Sequence, residues 1–138
     1  MIVVDASMAL RWVLADEIGE EAAAARTYVS ERGGCVPGNF QSESAHGLLQ
    51  AERRKRISAS DASAAFTDIM ELTLTVELPN PHVIVSSARE YGLTCYDAAY
   101  LALALQSGFS IATADEHLRK AARAENVLWN YSGSERRA

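Results

Sequence analysis

The sequence is poor in the residues that hold soft metals. Its 138 residues include two cysteines, three histidines and three prolines. Cys35 and Cys95 lie far apart, in no CxxC pair and at no zinc spacing, which argues against a zinc site. Both border apolar segments and read as buried free thiols of a reducing compartment. His46, His82 and His117 fall in three separate segments, with no second histidine at ligand spacing. Glu43-x-x-His46 has the one-face spacing of di-iron bundles, but that chemistry needs two copies and the chain has one. Long apolar runs are missing too: none approaches the ~20 residues of a membrane span. Positive charge is in deficit, with a net charge of -5. On charge alone this speaks against a nucleic-acid binder, because phosphate contacts need positive surface. Net charge is silent, however, about an acidic pocket flanked by basic patches. The start, Met1-Ile2-Val3-Val4-Asp5, has no basic region and does not read as a signal peptide, so the expected location is cytoplasmic.

What remains is ordinary globular material: 49% hydrophobic and 22% charged residues. The length fits one domain, expected over residues 1–131, with a polar tail over 132–138. Ile2-Val3-Val4 reads as a strand buried on both faces. A helix follows, with Ser7 as its expected N-cap and Met8 to Leu14 as its body. Glu17 to Arg32 reads as a second helix, closed by Gly33-Gly34. Cys35-Val36 is a short strand stopped by Pro37. Asn39 or Ser42 caps a helix to about Arg54, and Ser58 or Ser60 caps another through Leu72. Thr73 to Val76 reads as a strand. Helices are expected from Pro81 to Tyr91 and from Tyr96 to Ser107, each followed by glycine. Phe109 to Thr113 is a buried strand, Asp115 to Ala124 a helix, and Val127-Leu128-Trp129 a last strand. Short buried strands alternating with helices mean an α/β domain with a small parallel sheet.

Ligands of parallel sheets bind beyond the carboxyl ends of the strands. Asp5 and Asp115 follow two of the buried strands. Each has a bland alternative, since aspartate is a good helix N-cap. Asp97 opens an otherwise apolar helix, and Glu43 sits in the first turns of another, where the helix dipole favours acids. A helix as apolar as Tyr96 to Leu105 must be buried, and a buried carboxylate needs a partner. Four converging carboxylates would repel and raise one another's pKa values. A divalent cation resolves that conflict, and oxygen ligands favour Mg²⁺ or Mn²⁺ over zinc. Such a pocket suggests phosphoryl chemistry.

These segments together resemble a known family. Val3-Val4-Asp5-Ala6-Ser7, then Val36-Pro37 with Glu43, then Gly92-Leu93-Thr94-Cys95-Tyr96-Asp97-Ala98-Ala99-Tyr100-Leu101-Ala102-Leu103-Ala104, and finally Ala112-Thr113-Ala114-Asp115-Glu116-His117-Leu118 follow the order seen in PIN-domain ribonucleases. Within them the chain is most similar to the VapC toxins of bacterial toxin–antitoxin pairs. The resemblance covers residue 2 to about residue 129. It implies a compact α/β/α sandwich with a short, mostly parallel sheet, and a Mg²⁺ or Mn²⁺ site built from Asp5, Glu43, Asp97 and Asp115. Ser7 and Thr113 match the family's hydroxyl neighbours, which orient carboxylates or metal-bound water. His46 departs from the family, which commonly has Asn there. The implied activity is endoribonuclease cleavage by water, leaving a 5′-phosphate and a 3′-hydroxyl. Glu43 either completes the metal site or takes a proton from the attacking water. The implied partners are RNA, a VapB-type antitoxin and a second copy of the chain.

Positive charge is clustered at Arg53-Arg54-Lys55-Arg56 and at Arg119, Lys120 and Arg123. The first run and Arg11 are expected RNA-backbone contacts, against the alternative of cations suited to a helix end. Trp12, Val13 and Leu14 extend the apolar surface of the first helix, either as core or as a groove for a partner helix. Other readings fit less well. A receiver-like module needs a lysine after a late strand, and the two lysines, Lys55 and Lys120, follow none. A phosphatase built on Asp-x-Asp would need an acid where Ser7 stands. A non-catalytic RNA- or Mg²⁺-binding module has no use for so many acids.

Overall fold

The structure, a computed structural model, describes residues 1–131 apart from 15 and 17; the tail expected over 132–138 lies outside the described residues. Strands β1 (Ile2–Val4), β2 (Gly34–Val36), β3 (Leu74–Val76) and β4 (Ile111–Ala112) form a sheet in the order β3-β2-β1-β4. Every pairing in it is parallel, with Val3 opposite Cys35 on one side and Ile111 on the other. Parallel neighbours need crossovers, and seven helices among the described residues supply them: α1 (Ala6–Val13), α2 (Glu20–Arg32), α3 (Phe40–Arg53), α4 (Ala59–Met70), α5 (Pro81–Tyr91), α6 (Cys95–Ser107) and α7 (Glu116–Ala124). Strands β1, β2 and β4 are wholly buried, which is why they read as unbroken apolar runs. The result is the α/β/α sandwich expected from the sequence. Helix α1 packs chiefly with α2, α3 and α4, while α6 packs with α5 and α7 and lies on β1 and β4.

Local chemistry explains most boundaries. Gly92 and Gly108 end α5 and α6 in the left-handed conformation that favours glycine. Pro81 opens α5 at the first position, where no amide proton is needed. Ser58, not Ser60, caps α4, and Asp61 three residues on completes a reciprocal capping box. Three of the expected boundaries are corrected. Asp5 rather than Ser7 caps α1, because the strand ends at Val4 and the Asp5 carboxylate reaches the Met8 amide. The last strand reduces to one parallel bridge between Ile111 and Leu128. Helix α2 starts at Glu20 behind Gly19, and Glu17 lies outside the described residues.

The apolar run of α1 is core, not a free groove. Trp12 is 4% exposed and Leu14 6%, and the Trp12 indole donates to the Ala22 carbonyl at 2.7 Å. Helix α6 is buried from Ala98 to Ala104, which accounts for its lack of an amphipathic stripe. Cys35 is buried in β2, but Cys95 is exposed; it occupies the first turn of α6, ahead of the buried stretch.

Candidate active site

Parallel strands deliver their carboxyl ends to one edge of the sheet. Asp5 follows β1 there, and its amide donates to Ala112 at the end of β4. The Asp5 Oδ1 accepts hydrogen bonds from Ser7 Oγ at 2.7 Å and from the Met8 amide at 3.1 Å. Its Oδ2 accepts from Thr113 Oγ1 at 2.7 Å. The Ala114 amide donates to Ser7 Oγ and the Asp115 amide to Thr113 Oγ1, each at 3.0 Å. These bonds tie the turn after β1 to the turn after β4. Asp115 caps α7, its Oδ2 accepting from the Leu118 amide at 2.9 Å. The capping role therefore holds for both aspartates, beside any other.

Glu43 and Asp97 come from the first turns of α3 and α6. Glu43 Oε2 accepts from Tyr100 Oη at 2.7 Å and takes a short bond from the Asn39 amide. The same Asn39 nitrogen reaches the Tyr96 carbonyl at 3.3 Å, joining α3 to α6. Asp97 is partly buried in the third position of α6. All four carboxylates line one open cavity of about 410 Å³. Helices α1, α3, α6 and α7 all begin at it. The partial positive charges of their first turns offset the repulsion among the acids.

The offset is incomplete. Burial pushes the Asp5 carboxyl up from 3.8 to about 6; the hydrogen bonds from Thr113, Ser7 and Met8 oppose the rise, and the Asp115 charge adds to it. Burial and the Asp115 charge also raise Asp97, against the lowering influence of Thr94 and His117. Carboxylate and hydroxyl oxygens make a donor set suited to a hard divalent cation such as Mg²⁺ or Mn²⁺. Among the described residues, no three acidic, histidine or cysteine groups stand close enough to hold a metal ion directly. Each carboxylate oxygen described above is instead turned to a protein donor. An ion in this arrangement would be reached in part through water.

The sequence reading missed the residues that support Glu43. Asn39 was expected only as a cap, and its side chain makes no cap bond. Tyr100 was read as part of an apolar helix, though it lies one turn from Asp97 and is 1% exposed. Leu10 and Gly47 also line the cavity. A Cβ on Gly47 would stand 2.4 Å from Leu10 Cδ1, so α3 runs close to α1 there. His46 lines the cavity one turn beyond Glu43. His117 borders a separate cleft with Tyr91 and Lys120, and His82 is exposed at the start of α5.

The basic residues stand elsewhere. Arg53, Arg54, Lys55 and Arg56 are exposed at the far end of α3, roughly 15 Å along the helix from Glu43. None lines the cavity, and Arg56 pairs with Asp16 at 3.1 Å. Arg11 is exposed and lines a different cleft with Thr113. Arg119 is committed to the fold, donating to the Thr113 carbonyl at 2.8 Å and to Glu21 at 3.0 Å.

Comparison with known proteins agrees with this architecture. The model of the PIN domain family matches residues 2–124. No curated protein matches the sequence. Among solved structures, PAE2754 from Pyrobaculum aerophilum is similar with a TM-score of 0.74 at 22% identity, covering 99% of this chain and 93% of its own. VapC20 (Rv2549c) of Mycobacterium tuberculosis, described as a sarcin–ricin loop cleaving toxin, is similar with a TM-score of 0.59 at 15% identity. That likeness covers 88% of this chain and 95% of VapC20. At such identities the two structures speak for the fold alone. The family match over nearly the whole chain, on a sheet whose carboxyl edge gathers four acids, means that the chain belongs to the PIN-domain family.

Proposed function

We propose that the protein is a metal-dependent endoribonuclease, a VapC-type toxin held in check by a cognate antitoxin in the cytoplasm. The observation that carries this reading is the meeting of Asp5, Glu43, Asp97 and Asp115 on one cavity at four helix N-termini. Asp5, Asp97 and Asp115 would hold Mg²⁺ or Mn²⁺, in part through water. When bound, such a cation makes water a better nucleophile and neutralises charge on the phosphate.

The chain's own residues do the rest. Ser7, Thr113 and the Met8 amide fix both oxygens of Asp5, so the carboxylate does not turn during reaction. Tyr100 and Asn39 both donate to Glu43 Oε2 and fix that oxygen. Glu43 either accepts the proton of the attacking water or completes the ion's shell. Attack in line on phosphorus breaks the bond to the 3′-oxygen, which takes a proton from solvent, leaving a 3′-hydroxyl and a 5′-phosphate. No RNA 2′-hydroxyl takes part. Arg53, Arg54, Lys55 and Arg56 would meet the RNA backbone well away from the reacting bond. A homodimer and a VapB-type antitoxin belong to the same reading.

The test is cleavage of total RNA by purified, partner-free protein, with Mg²⁺ or Mn²⁺ against EDTA, beside Asp97→Asn. Cleavage is expected to need both the cation and Asp97, with the variant's circular dichroism unchanged. Undiminished activity in Asp97→Asn would remove the site assignment. Binding of the ion without cleavage of any RNA would favour a non-catalytic module.

A further inference from the structure

Among the described residues, Tyr96 is the most exposed of the tyrosine, phenylalanine and tryptophan side chains, at 65%. The stretch of α6 that follows, Ala98 to Ala104, is buried throughout. The second position of a helix has no need of an aromatic side chain, and smaller residues form helix at least as well there. Tyr96 lines the same cavity as Asp97, its neighbour in the chain. Its backbone is fixed, because its carbonyl accepts the Asn39 amide that also holds Glu43. The structure therefore keeps an apolar ring in solvent at the rim of an acidic cavity, tied to two of the proposed catalytic carboxylates.

Among the described residues, that cavity is lined by no lysine and no arginine. Beside the proposed cation, a nucleic-acid strand entering it meets no basic side chain among the described residues, and a further contact is needed to place its bases. Stacking does not depend on charge, and every base offers a flat face to an aromatic ring. We infer that Tyr96 is a stacking platform for an unpaired nucleobase next to the phosphodiester in the acidic cavity. The inference rests on the nuclease reading, and the stacked base must be unpaired, since paired bases do not present their faces.

The test uses Tyr96→Ala, Tyr96→Phe and Tyr96→Trp. Binding is read by fluorescence anisotropy with a labelled pool of unpaired RNA oligonucleotides of mixed sequence, in the inactive Asp97→Asn background with Mg²⁺. Turnover is read on an RNA that the unaltered protein cleaves. Tyr96→Ala is expected to weaken binding and raise KM by about tenfold, with kcat changed far less. Phe and Trp restore both, which a role for the tyrosine hydroxyl would not allow. Removing the bases on either side of the scissile bond erases the difference between Tyr96→Ala and the parent. Equal KM for Tyr96→Ala and the parent overturns the stacking site and leaves the nuclease reading intact. So does a Tyr96→Ala protein that loses only a protein partner. A parent protein that neither cuts nor binds RNA overturns both.

Discussion

At the scale of single residues, Tyr100 shows how one hydroxyl can organise two helices. It lies on α6, and its Oη donates to Glu43 on α3. Burial and the bond to Glu43 raise the phenol well above its ordinary range, so it stays a donor at every pH at which the protein works. Tyr100→Phe keeps the ring that fills the core and deletes only this bond. Glu43 then retains Asn39 alone. Loss of a hydrogen bond to a charged group costs about 1.5–3 kcal/mol, and part of that loss falls on positioning. The expected result is a fall in kcat of roughly tenfold with KM little changed, and a lower unfolding midpoint in urea. A variant with lowered stability and full kcat would reduce Tyr100 to a packing residue.

At the scale of elements, helix ends carry both the fold and the site, and they mark the limit of what the sequence discloses. Helix α3 ends with Lys55 at a φ of 61°, its amide bonded to Glu52 and the Arg56 amide to Ala51. That is a left-handed helix terminus built with a residue that adopts it at a penalty of about 1–2 kcal/mol. Lys55→Gly should raise unfolding free energy in urea by about 0.5–1 kcal/mol, since relief of the strain outweighs the greater freedom of glycine when unfolded. Gly92→Ala should do the reverse, because Gly92 has a φ of 64° and nothing within 4 Å of an added Cβ. A common sign for the two changes would refute the conformational account. Elements were legible wherever one local rule governs them: β-branched runs for β1, proline and glycine for α5, glycine for the end of α6. The last strand was misread because Val127 to Trp129 is apolar enough for a strand, yet only Leu128 pairs. Asp5, Asp97 and Asp115 could be singled out because acids beside buried apolar runs are conspicuous. Asn39 and Tyr100 could not, because their bonds to Glu43 include one spanning 57 positions, and a buried tyrosine in an apolar helix looks like core.

At the scale of the whole molecule, the proposed metal site sets cation binding against stability. Without a cation, the fold must hold Asp5 and Asp97 in a place that raises both carboxyls. A carboxyl raised from 3.8 to about 6 contributes stability below the lower value, and that contribution is lost as pH rises through the upper one. At pH 7.5 the metal-free protein therefore carries the full penalty of its ionised site. A cation that binds the folded state alone should offset it by RT ln(1 + [L]/Kd), or about 2.7 kcal/mol at a hundredfold excess over Kd. For a domain of this size that is a Tm rise of roughly 10 °C. Asp97→Asn removes one of the repelling charges beside Asp115, so in EDTA its Tm should equal or exceed that of the parent. The same change weakens the site, so its Tm should respond less to Mg²⁺ or Mn²⁺. Differential scanning calorimetry of both proteins, in EDTA and across a cation titration, checks the two statements together. A parent Tm that no divalent cation moves would mean that the carboxylates meet without forming a metal site. A variant that loses stability in EDTA would mean that Asp97 holds the fold rather than burdening it.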